Sequence, residues 1–284
     1  MSYNFDPNNQ NNPYGGAALP PHYLVTQSAK NIKSMTRQAL KGHWGEAILA
    51  AFIIEAIMSG PRLFFGMMNS GFLAFLSDFY GIVITGPANV GLVMFLMGIF
   101  RMENPEKRLI YKGFQDKELF IKGLLVYCSM MIRIIFLSFL FIIPGVIAAF
   151  KYSMAYRVLV DHPEYTAGDC LRASANIMSG NKLKLFMVEL SFWFWLILVN
   201  IPRSICTQQA IAAVADIEVL LTDMEVFNRF INDVNSNPWI ILTYVLTVIL
   251  NVYIQTSMCC FYDLAAGNLV VRQSYTGDNE NGNQ

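Results

Sequence analysis

The sequence predicts an all-α, polytopic membrane helix bundle of about six transmembrane helices, preceded by an amphipathic helix that lies in the membrane interface. Three observations carry this. Of 284 residues, 55% are hydrophobic and only 14% charged, against about 25% charged in a typical soluble domain. The apolar residues come in runs near the roughly 20 that a helix needs to cross about 30 Å of hydrocarbon. The basic residues collect between those runs, as they do on the cytoplasmic side of membrane proteins.

Residues 1–22 are rich in Asn, Pro and Gly, a composition that cannot bury enough apolar surface to order itself, and read as a disordered cytoplasmic tail. They lack a basic start followed by an apolar stretch, so they are not a secretory signal. A single membrane-embedded helical domain over 23–270 follows, and 271–284 reads as a second disordered tail. Between Tyr23 and Gly42, Ile32, Met35, Thr36, Ala39 and Leu40 share one helical face while Lys30, Lys33, Arg37 and Lys41 share the other. Such a cationic amphipathic helix lies in the interface, where those four residues would draw anionic lipids at about 1 kcal/mol each.

The first span is expected over 44–62, with Trp44 at headgroup level and Pro61 at its end, because proline rarely continues a helix. Residues 66–81 read as a connection. The second span covers 81–100, with Gly86-Pro87 kinking it or setting its start. The stretch 101–122 holds six basic and four acidic residues and is too polar for lipid. Residues 124–160 then stay apolar for 37 positions, too long for one span. Pro144-Gly145 is a strong turn signal, so the run divides into spans at 124–142 and 145–160, joined by a helix-hairpin turn at Pro144 and Gly145. Thr166 and Asp169 have capping-box spacing and open a short helix that ends at Gly180-Asn181. The fifth span covers 183–201, a long acidic connection 202–237, and the last span 238–262.

Six spans with both termini in the cytoplasm place 15 of the 20 basic residues inside. Five spans would move the segment from Lys151 to Lys184 outside, against the positive-inside rule.

Charges within spans are the main candidates for a role, since each costs at least about 2.5–3.5 kcal/mol at the bilayer centre. Glu55, Arg133 and Lys151 are expected at depth, with Glu55 paired to Arg133 or Lys151. Arg157 and Glu189 form a second candidate pair in the same intramembrane charge network. Asn251 and Gln255, four apart on the last span, suit interhelical hydrogen bonding. The run SFWFW at 191–195 wraps around its helix and suits lipid contact.

Catalytic and cofactor signatures are missing. The sequence has no G-x-S-x-G, Walker A, G-x-G-x-x-G or His-x-x-x-His motif, and Asp161-His162 has no nucleophile at a recognisable spacing. The five cysteines form no C-x-x-C pair. No concentrated basic face with stacking groups points to nucleic acid. The expectation is a chain with no cofactor, no metal site and no enzymatic activity.

Several segments resemble the DUF975 family of uncharacterised bacterial multi-pass membrane proteins: RQALKGHWGEAI at 37–48, GPANVGLVMFLMGIFR at 86–101, YKGF at 111–114, and above all the stretch from FIIPGVIAAFKYSMAYRV to NKLKLF at 141–186. The resemblance covers nearly all of 30–270. It implies a bundle of about six helices in the cytoplasmic membrane of a bacterium, and no reaction. The functional expectation is a scaffold, envelope-homeostasis factor or accessory membrane subunit, with the cytoplasmic helix 166–180 and the loop 101–122 as its working surface and a protein partner at the helix. The alternative is a small transporter or channel-like carrier using the intramembrane charges, for which a repeat between the halves would be typical and is not seen.

Overall fold

The structure is a computed structural model describing residues 19–66, 71–101, 103, 105–212, 226 and 237–269. Residues 1–18 and 270–284, and with them both expected tails, lie largely outside it, as do the acids Asp216, Glu218, Asp223, Glu225 and Asp233. The described chain folds as α1 (Ala29–Leu40), α2 (Trp44–Gly66), α3 (Gly71–Phe100), a 3-10 turn (Lys107–Tyr111), α4 (Lys112–Gln115), α5 (Lys117–Leu140), α6 (Ile142–Tyr152), α7 (Ala155–Asp161), α8 (Ala167–Ile177), α9 (Lys182–Ala212) and α10 (Pro238–Ala266). Among the described residues, six segments are long and apolar enough to cross a membrane: Trp44–Pro61, Phe75–Phe100, Lys117–Phe139, Ile142–Asp161, Lys182–Gln209 and Pro238–Ala266.

Local chemistry sets many of the helix starts. Ser28 caps α1 by accepting from the Asn31 amide at 3.2 Å, and Asp116 caps α5 by accepting from Glu118 at 2.9 Å. Asn237 caps α10, ahead of Pro238 in the first turn, where a missing N–H costs nothing. Thr166 and Asp169 form a reciprocal capping box at the start of α8.

Three expected breaks are not breaks. α2 runs through Pro61 to Gly66. Proline there leaves the Ile57 carbonyl without its helical donor, and the Tyr80 hydroxyl of α3 supplies one at 2.8 Å. α3 begins at Gly71 and passes through Pro87, so most of the expected connection at 66–81 is helix. α9 passes through Pro202 to Ala212, absorbing the first part of the expected acidic connection.

The hairpin turn also moves. α5 ends at Leu140, Phe141 is extended (φ −158°, ψ 146°), and α6 starts at Ile142. Chain reversal therefore occurs at Phe141. Pro144 sits in the first turn of α6, where amides have no helical acceptor. Gly145 serves packing instead, because a Cβ there would collide with Ser138 of α5. α3 and α5 cross closely at Gly86 and Gly123, where an added Cβ on Gly86 would lie 2.8 Å from the Leu124 nitrogen. Small residues let membrane helices approach this closely.

Burial divides the bundle along its length. In α3, Phe72, Phe75, Phe79 and Ile82 are exposed, whereas almost every residue from Gly86 to Phe100 is buried. In α10, Trp239, Ile241, Leu242 and Leu246 are exposed, while Cys259 to Ala266 are buried throughout. At 1.5 Å per residue, α3's 30 residues span about 45 Å, well beyond the roughly 30 Å of hydrocarbon. The excess is enclosed by protein: α1, α7, α8 and the turn at 107–115 pack round these ends as a helical head. The apolar face of α1 is closed the same way, with Ile32, Thr36 and Leu40 wholly buried. Residues 19–22, expected in a disordered tail, are tied to the head where Asn176 of α8 donates to the Pro20 carbonyl at 3.0 Å.

Candidate functional site

The ends of the second, fourth and sixth spans meet in the head. Arg101 follows the last residue of α3, Asp161 closes α7, and Asp263 lies in the last turn of α10. Arg101 grips Asp161 with both Nη atoms, Nη1 to Oδ1 at 2.7 Å and Nη2 to Oδ2 at 2.8 Å. Its Nε reaches Asp263 Oδ2 at 3.0 Å and its Nη2 reaches Oδ1 at 2.5 Å. Asn268 donates to both carboxylates at 3.1 Å. The planar guanidinium fork suits such paired recognition, as a lysine would not. Asp263 is 1% exposed, so its charge depends on these donors.

Burial works against the charge on Arg101, but hydrogen bonds and attraction from Asp161 and Asp263 outweigh it and push its pKa upward. The cluster keeps one net negative charge. It borders an open depression of about 700 Å³, bounded also by His162 and Leu269. His162 stacks on Tyr165 at 4.6 Å and its Nδ1 lies 3.1 Å from Glu164 Oε1. Every carboxylate oxygen of the cluster has a partner, so the arrangement clamps helices. Among the described residues no three His, Cys, Asp or Glu side chains are grouped to hold a metal.

The residues singled out from the sequence are distributed differently. Glu55 is half-buried on α2, beside Phe52 and Tyr244, whose rings meet edge-on at 6.2 Å. Among the described residues no ion pair joins it to Arg133 or Lys151. The reason is topological: α2 packs on α3 and α10, whereas those cations lie on the α5–α6 hairpin. Arg133 and Lys151 instead flank one ring, 5.6 and 5.4 Å from the centre of Tyr152, and both gain cation–π attraction.

Arg157 is 2% exposed. It donates to the Gln255 side chain at 2.8 Å and to the backbone carbonyls of Gln255 and Ser153, both at 3.2 Å. Glu189 is close enough to act on it electrostatically without forming an ion pair. Gln255 thus makes an interhelical bond, while Asn251 is exposed. Phe192 turns inward beneath Lys33, 4.8 Å from the ring centre, and Trp193, Phe194 and Trp195 point out.

Arg101, Asp161, Asp263 and Asn268 were not candidates from sequence. A signal exists: each charged member directly follows an apolar run, at Phe100-Arg101, Val160-Asp161 and Tyr262-Asp263. Alternating span direction puts those three ends on one face.

This architecture defines an integral, multi-pass membrane protein with a packed helical head at one end. The model of DUF975, a family of proteins of unknown function, matches residues 120–266, over half the chain. The chain belongs to that family. The match takes in α6–α10 and most of α5, including Asp161 and Asp263, while Arg101 lies before it. No curated protein and no solved structure matches the chain.

Proposed function

We propose that the chain is a non-enzymatic scaffold or accessory subunit of the cytoplasmic membrane, with its head in the cytoplasm and a protein partner docked there. The Arg101 clamp is the observation that supports this reading most. It fixes the ends of three spans against one another inside a packed head, which suits a rigid docking platform. Alternating access requires halves that rock about a central site. Orientation follows from charge, because the head end carries the basic lead-in helix and the basic connection at 101–122.

α8 offers little free surface, since Asp169, Cys170, Leu171, Ala173, Ser174 and Ile177 are buried. The connection before α5 is more open: Lys107, Arg108 and Lys112 are exposed, as are Lys117 and Glu118 at the start of α5 and the acids Glu103, Glu106 and Asp116. Docking therefore falls to this charged edge.

Crosslinking in native membranes from Arg108, followed by identification of the captured protein, tests the proposal. Capture should be lost on reversing charge at Lys107, Arg108 and Lys112. Solute flux in proteoliposomes that disappears in Glu55→Gln would overturn it in favour of a carrier.

A further inference from the structure

We infer that the strap at residues 19–27 is a latch that holds the turn carrying Asn268, and so keeps the Asn268 amide on the carboxylates of the Arg101 cluster. The strap is held mainly through its backbone. Asn181, 1% exposed, clasps it at two points, donating Nδ2 to the Tyr23 carbonyl at 2.8 Å and accepting from the Val25 amide at 2.9 Å. Asn176 donates to the Pro20 carbonyl at 3.0 Å, and the Tyr23 amide donates to the Ala265 carbonyl at 2.8 Å. Pro20 and Pro21 favour the extended form beforehand, because proline fixes φ near the value such a strand uses.

Two neighbouring side chains then cover two helix ends. Leu24 lies over Gly180 and Tyr23 over Gly267, which have φ of +76° and +81°. A Cβ on Gly180 would strike the Leu24 side chain, and one on Gly267 would strike the Tyr23 ring. Glycine is needed at both places for φ and for space.

The Gly267 turn links the strap to the cluster. Tyr23 presses on Gly267. The next residue, Asn268, bonds Asp161 and Asp263, and the Leu269 amide donates to the Asp263 carbonyl at 3.1 Å. Leu269 lines both the depression beside Arg101 and a second cavity of about 370 Å³ beside the strap. One short turn thus separates the two spaces.

The latch is built to open. Tyr23 remains 55% exposed and Leu24 66% exposed, and only Val25 is well buried, at 8%. Little apolar area is returned to water on release, so opening belongs to the low-energy local motions that precede global unfolding. When the strap leaves, nothing presses on Gly267, and Asn268 can withdraw from the carboxylates.

Hydrogen exchange on the full chain in nanodiscs tests this, with no partner present, so its outcome is separate from that of the docking proposal. Asn181→Leu removes the two-point clasp, and Tyr23→Ala removes the exposed ring without disturbing a buried core. In both, the Leu269 amide should exchange about tenfold faster or more, along with residues 19–27, while α5 and α6 keep wild-type protection. Tyr23→Phe should match wild type. Faster exchange in the strap with no change at Leu269 would overturn the inference, as would no change anywhere. Should Asn181→Leu fail to fold, Tyr23→Ala alone decides.

Discussion

Arg101 and Asp263, 162 residues apart in sequence, meet through hydrogen bonds of 2.5 and 3.0 Å at the ends of two membrane helices. Only 2% of the Asp263 side chain is exposed, so the carboxylate has little water to replace a lost partner. Removing one partner of a buried pair leaves the other charge unpaired, typically at about 3–5 kcal/mol. Because Arg101 itself is a quarter exposed, we expect Arg101→Gln to cost about 3 kcal/mol, toward the lower end of that range. Arg101→Lys keeps the charge and loses the fork, and should fall between. Detergent unfolding midpoints check the order.

Tyr80 and Pro61 should behave as a compensating pair. Tyr80→Phe leaves the Ile57 carbonyl without a donor and should cost about 1 kcal/mol. In Pro61→Ala the backbone amide of residue 61 returns and can serve the same carbonyl. Tyr80→Phe made in that background should therefore cost clearly less. Equal costs in the two backgrounds would show that Tyr80 does not stand in for the missing amide.

Gly86→Ala should destabilise the bundle by about 2 kcal/mol or more, within the range for overpacking a tight contact. The added methyl meets the Gly123–Leu124 backbone, which has no rotamer to change. Thermal unfolding of the purified variant measures it.

Glu55→Gln and Arg133→Gln should be additive within about 0.5 kcal/mol, as distant sites are. They sit on helices that face different neighbours. A coupling above about 1 kcal/mol would mean they share a contact after all.

Asp169 gives the head a pH dependence of defined sign. Burial alone would raise its pKa. Hydrogen bonds from Thr166 and Arg172, with the attraction of Arg172, outweigh that and hold it below the ordinary value. A depressed folded pKa adds stability that is complete above the unfolded value of about 3.9 and is lost as pH falls through the folded one. Wild type should therefore weaken as pH falls below about 4, and Asp169→Asn should lose this component. At neutral pH the substitution should cost about 1 kcal/mol for the impaired cap. Exchange of α8 amides between pH 3 and 6 follows it.

Much of the architecture is legible in the sequence because hydrophobic length is a strong signal. Six spanning segments, the capping box at Thr166 and Asp169, and the amphipathic face of α1 all follow from spacing. Proline misleads at 61, where the helix continues because the Ile57 carbonyl that its ring frees finds another donor. Pro144-Gly145 misleads differently: both residues favour a turn, but one fits a first helical turn and the other a close helix contact. Pairing among the charges is not legible, because spacing along the chain says which residues share a helix face, not which helices touch. Arg101, Asp161 and Asp263 resemble ordinary flanking charges until alternating span direction brings their helix ends together.

The central claim is that Arg101 couples the helix ends, and a double-mutant cycle between Arg101→Gln and Asp263→Asn tests it most directly. The expected coupling is about 1.5 kcal/mol or more, with the double variant more stable than the sum of the single losses implies. Additive losses, within about 0.5 kcal/mol, would contradict it.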